Sequence, residues 1–141
     1  MPSSTMASRE AVVRFNATIS SLERAGQALR TFLDTVQVAS ARRYQIELAF
    51  DEITSNIIRH GQPVSAIGLT VAIHDAEAVL TFEDDGTEFD PRTHQSTKQP
   101  ALPGDMSIGG LGLVLVKSFV SHIDYDRTQQ HNRLTLTIPL A

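Results

Sequence analysis

The 141-residue chain contains no cysteine, which excludes disulfides, thiolate zinc sites and a cysteine nucleophile together. It contains no apolar run near the ~20 residues a membrane-spanning helix needs. Its first ten residues, MPSSTMASRE, lack the basic start and apolar core of a secretory signal. A basic excess is missing too: the formal net charge is −4, which argues against a general nucleic-acid-binding surface. These absences predict a soluble protein of the cytoplasm with no direct nucleic-acid or membrane partner. What is present, 41% hydrophobic and 20% charged residues, is the composition of an ordinary globular domain.

The pattern along the chain predicts one domain over 10–141, preceded by a disordered lead of residues 1–9. A strand is expected near 10–18. A helix over 21–36 follows, with Ser20 or Ser21 as N-cap and Glu23 in its first turn. A second helix runs from Ser40, read as N-cap, to His60, with Gly61 just beyond it. Residues 66–75 and 78–85 read as a hairpin about the turn 75–77. Residues 86–110 are rich in Pro, Gly, Ser, Thr and Gln, and a loop of that length is usually functional or mobile. Helical spacing returns over 110–123, and 124–128 with 133–140 read as a closing pair of strands. The order predicts an α+β two-layer sandwich, with helices on one face of a mixed, mostly antiparallel sheet.

Three segments carry chemistry. In LAFDEITSNIIRHG (48–61), Glu52 and Asn56 lie one turn apart on one helix face. The amide oxygen suits Mg²⁺, which leans on phosphates and keeps several waters. The glutamate suits a base acting on a nucleophile that attacks a terminal phosphate. The plain alternative is an exposed polar stripe. In EDDGTEFDP, Asp84 ends a strand, where its carboxylate can accept from an amino group such as that of adenine, and Gly86 would let the backbone pass close to the ring. The alternative is a turn with solvated acids. In GGLGLVLV, glycines at 109, 110 and 112 run into a helix whose first N–H groups form an anion site, or simply pack tightly. No Gly-Lys-Ser/Thr follows, so this is not a P-loop, and no strand precedes the turn as a dinucleotide fingerprint requires. The five histidines show no metal-ligand spacing.

In order and spacing the three segments resemble the N, G1 and G2 boxes of the Bergerat-fold (histidine-kinase-like) ATPases. DDGTEFDP, GGLGLVLVKSFV and NRLTLTIPL look most like the small bacterial anti-sigma factor serine-protein kinases. Position 88 is Glu where the wider superfamily often has glycine, a departure that this branch tolerates. The resemblance implies Glu52 as general base and Asn56 as Mg²⁺ ligand. It implies Ser55 near the adenine end, Asp84 as the adenine-binding carboxylate and Gly86 as its companion. Gly110, Leu111, Gly112 and Leu113 would lie beside the phosphates, and about 91–109 would form an ATP lid, with Arg92 or Lys98 reaching the γ-phosphate. It also implies ATP and Mg²⁺ as cofactors, a sigma factor and a STAS-type anti-anti-sigma protein as partners, and a homodimer. The competing readings are a nucleotide-gated binding protein and a stand-alone ATPase module in another signalling complex.

Overall fold

The computed structural model describes residues 9–93 and 109–141. The expected lead lies outside the described residues except for Arg9, which opens β1, and so do 94–108, the greater part of the expected lid.

Strand β1 (Arg9–Asn16) leads into α1 (Ile19–Thr35) and α2 (Ser40–His60). The hairpin β2 (Ala66–His74) and β3 (Glu77–Asp84) follows, then α3 (Gly109–Phe119) and the pair β4 (His122–Thr128) and β5 (His131–Pro139). The strands form one sheet in the order β1-β2-β3-β5-β4. Every neighbouring pair is antiparallel, so among the described residues the sheet is wholly antiparallel where a mixed, mostly antiparallel one was expected.

Side chains alternate across a strand, and here the alternation sorts the sheet into two faces. Ile67, Leu69 and Val71 on β2, Ala78, Leu80 and Phe82 on β3, and Leu134, Leu136 and Ile138 on β5 are buried. Against them pack Ala25, Leu29 and Leu33 of α1 and Ile46, Ala49, Phe50, Ile53 and Ile57 of α2. That single cluster is the core. Among the described residues no helix is long and apolar enough to cross a membrane.

Several element ends differ from expectation for identifiable reasons. Helix α1 starts earlier because β1 already ends at Asn16; Thr18 is the N-cap and its hydroxyl accepts from Ser21 N. Ser20 and Ser21 are therefore inside the first turn, and no acidic residue is. Ala39, not Ser40, is the N-cap of α2 and offers no side-chain bond. Gly61 has φ −96°, so no left-handed conformation calls for glycine there. Space does: a β-carbon would come within 2.6 Å of Ile57 O. Helix α3 stops at Phe119 because His122 and Ile123 join the ladder opposite Thr137 and Leu136.

Candidate functional site

The inward face of the sheet is apolar until its final row. In register that row reads Phe15, Ile67, Asp84, Asn132, Arg127 across β1, β2, β3, β5 and β4. Continuing the alternation of Ala78, Leu80 and Phe82 by one step thus buries an aspartate, and the same step on β5 buries an asparagine. Asp84 is 5% and Asn132 4% exposed. Polar residues at core positions break the binary pattern, and such breaks mark functional sites.

Asp84 is held from two sides. Gly86 N donates to its Oδ1 at 2.8 Å, and Asn132 Nδ2 donates to the same oxygen at 3.0 Å. Burial pushes the Asp84 carboxyl above its ordinary range, and these two bonds pull it back. Gly86 is needed here, although the space it leaves is filled by protein: a β-carbon would overlap Gly61 O at the end of α2. Thr87 N bonds the same carbonyl at 2.9 Å. The neighbouring Asp85, which had no evident role in the sequence, accepts from Ser65 N, Ser65 Oγ and Ala66 N. Those bonds pin the start of β2 and hold the Asp85 carboxyl down at about 2.

Helix α2 brings the second group. Asn56 is 3% exposed; its Oδ1 accepts from Arg59 Nη2 at 3.1 Å, while its Nδ2 has no partner. One turn earlier Glu52 Oε1 is also buried without a partner. Among the described residues these are the two buried side-chain polar atoms left unsatisfied. Such atoms cost about 1–3 kcal/mol each, and native structures keep few of them. Burial raises the Glu52 pKa, Arg59 lowers it and Asp51 raises it further.

A narrow cavity, partly open to solvent, lies between Asn56 and Asp84. Ile53, Asn56 and Ile57 of α2, Asp84 of β3, Asn132 and Leu134 of β5 and Tyr125 of β4 line it, with Phe89 and Pro91 at its margin. Phe89 stacks on His60 at 5.1 Å between ring centroids. A slot with apolar walls, one carboxylate at one end and an amide at the other suits a flat heterocycle with an amino group.

The third segment sits differently from expectation. Gly110, Leu111 and Gly112 lie inside the first turn of α3 rather than in a turn ahead of it. Their N–H groups are among those that a helix start leaves without intrahelical acceptors. Gly112 rests on Glu52: a β-carbon there would overlap the whole carboxyl group. Leu113 is buried and belongs to the core.

Of the expected site residues, Asn56 and Asp84 share the cavity, Gly86 holds Asp84, and Glu52 meets Gly112. Ser55 is half-buried and does not line the cavity; the buried hydroxyl on that stretch is Thr54, which bonds Phe50 O. Arg92 is paired with Asp90 at 2.8 Å and lies over the Tyr125 ring, and Lys98 lies outside the described residues. Arg59 is a cation that does touch the site, through Asn56 Oδ1. Sequence reasoning passed over it, and over Asn132, Arg127 and Tyr125.

These donors fit a Mg²⁺-nucleotide. The Glu52 carboxyl and the Asn56 amide oxygen are hard donors of the kind Mg²⁺ takes, and the unpartnered Asn56 Nδ2 is a hydrogen-bond donor that suits a phosphate oxygen.

The sequence profile described as a histidine kinase-like ATPase domain matches residues 15–138. A serine/threonine-protein kinase, BtrW of Bordetella bronchiseptica, is 36% identical over 103 residues, covering 70% of this chain and 72% of that protein. Among solved structures, the RsbU and RsbW domains of a Mycobacterium tuberculosis protein superpose with TM-score 0.66 at 18% identity. That match covers 93% of this chain, which spans only 32% of the other. The SiaB-SiaC complex of Pseudomonas aeruginosa gives TM-score 0.57 at 18% identity, covering 92% of this chain and 90% of that one.

Proposed function

The chain belongs to the histidine kinase-like ATPase family, and from that premise we propose that it is an ATP-dependent protein-serine kinase of the anti-sigma type. It transfers the γ-phosphoryl group of ATP to a serine of a small STAS-type anti-anti-sigma protein, and it sequesters a sigma factor as a homodimer. The kinship with BtrW supports the kinase reading. The observation that carries it is the pair of unsatisfied buried atoms one turn apart on α2: Glu52 Oε1, an acceptor, and Asn56 Nδ2, a donor on the residue that shares the cavity with Asp84.

Asp84 accepts from the amino group of the base in the cavity. Asn56 would supply its amide oxygen to Mg²⁺ after release by Arg59, and the charge supplied there would offset that of the transferring phosphoryl group. The first N–H groups of α3 face the phosphates. Glu52 accepts the proton of the attacking serine hydroxyl, so that its oxygen forms the new bond to phosphorus as the bond to ADP breaks.

A second reading, a nucleotide-gated binding protein without transfer, draws on one feature. Gly112 covers the Glu52 carboxyl, and Arg59 holds the Asn56 oxygen. Titration calorimetry with ATP and Mg²⁺, repeated on Asn56→Ala, tests the site. Saturable binding that weakens at least tenfold in the variant supports it, and equal binding by both proteins would refute it. Single-turnover transfer of labelled phosphate to a STAS-type acceptor separates the kinase from the pure binder.

A further inference from the structure

Asn132 stands directly opposite Asp84 in the β3–β5 ladder, and every hydrogen-bonding position of its amide is used. Nδ2 donates to Asp84 Oδ1 at 3.0 Å and to Thr87 O at 2.8 Å. Oδ1 accepts from Arg127 Nη1 at 2.9 Å and from the Tyr125 hydroxyl. An amide offers two donors and two lone pairs, so nothing remains to be shared with solvent.

The orientation of that amide is forced. Arginine has no acceptor, so turning Asn132 over would aim its NH₂ at a guanidinium and its oxygen at a carboxylate. Arg127 is in turn fixed by donating to Gly86 O at 3.0 Å. The chain of contacts therefore runs from β4 through β5 to the aspartate. It ends on Oδ1 alone: among the described residues Oδ2 receives no hydrogen bond, and Asp84 lines the cavity.

We infer that Asn132, oriented by Arg127 and Tyr125, is a positioning residue that makes Asp84 present one free accepting oxygen, Oδ2, to the base, and so sets a preference for 6-amino over 6-oxo purines. This rests on reading the cavity as the nucleobase site. An ionised carboxylate only accepts, so it pairs with an amino group at purine C6 and opposes an oxo group. A protonated one donates, and would accept the 6-oxo base as a partner. Burial already drives Asp84 toward the protonated form, and the bond from Asn132 is the first of the opposing influences. Taking that donor away raises the carboxyl further and removes the contact that fixes which oxygen faces the base.

ATP and ITP differ at this edge of the base, and their dissociation constants with Mg²⁺ can be measured on the full chain by calorimetry. Asn132→Asp replaces the donor by an acceptor of the same shape and keeps its partners Arg127 and Tyr125. Arg127→Met removes the anchor of the amide oxygen. A hydrogen bond to a charged group contributes about 1.5–3 kcal/mol, so the ATP-over-ITP ratio should fall by about tenfold or more in Asn132→Asp. Arg127→Met should fall between that variant and the parent, and it carries the test alone if Asn132→Asp does not fold. A residue that merely supported the fold would weaken both nucleotides by one factor. An unchanged ratio in a chain that binds ATP would overturn this inference and leave the kinase reading standing. No binding of either nucleotide by the parent chain would overturn both.

Discussion

Gly112 and Glu52 touch so closely that no side chain fits on the glycine: a β-carbon would overlap Cδ, Oε1 and Oε2 of the glutamate together. The start of α3 thus holds the proposed base in place. Gly112→Ala should push the carboxyl aside while leaving the β3–β5 end of the cavity untouched. Misplacing a reacting group by about 1 Å can cost about 10²-fold in rate. Phosphoryl transfer should therefore drop by that order with nucleotide affinity nearly unchanged, as read by single-turnover kinetics beside calorimetry.

Glu52→Gln should keep nucleotide binding and lose transfer by about 10²–10⁴-fold, the usual contribution of general base catalysis. Burial raises the pKa of Glu52, and a base works only when deprotonated. The acid limb of kcat/KM should thus lie above the ordinary glutamate range. The raised value also has a stability consequence. The folded state holds this proton to a higher pH than the unfolded chain does, so stability falls as pH rises between the two values. At pH 7 the glutamine variant should be the more stable protein in urea, a familiar trade between activity and stability.

Arg59 is the positive charge that lowers the Glu52 pKa, and it also holds Asn56 Oδ1. Arg59→Ala should move the acid limb of kcat/KM to still higher pH. If the limb stayed where it was, the electrostatic link between Arg59 and Glu52 would have no functional weight.

Asp85 behaves in the opposite sense, its carboxyl held down at about 2 chiefly by the Ser65 hydroxyl. A depressed value contributes stability that is present above the unfolded aspartate range and is lost as pH falls through about 2. Because the group is exposed, its worth at pH 7 should be under about 1 kcal/mol. Urea titrations of Asp85→Asn should show that difference at neutral pH and its disappearance toward pH 2.

Thr18 caps α1 next to the outer strand β1 and does not line the cavity. Thr18→Ala should cost about 1 kcal/mol of stability without changing nucleotide affinity, which thermal unfolding and calorimetry would check together.

The sequence made the elements legible where side-chain period was clear. Ala25 and Leu29, Ile53 and Ile57, and Leu134, Leu136 and Ile138 are core residues because their spacing says so. The ends were harder. A cap depends on where the preceding strand stops, so Thr18 displaced the more obvious serines. Asp84 and Asn56 were readable from type and position. Asn132 was readable as well, had the alternation of β5 been continued two residues back to a polar side chain. Arg59, Arg127 and Tyr125 could not be read alone. Arg59 acts through a helical neighbour, and the other two through an amide that only strand register brings within reach.

Strand β5 fills the slot between β3 and β4. A chain emerging from the ribosome carries Glu52, Asn56 and Asp84 long before it carries Asn132. Until residues 131–139 are out, β4 has no strand to join and Asp84 faces an empty register position. The proposed nucleotide site therefore stays incomplete through most of synthesis, and it closes only once translation has delivered the inner strand β5.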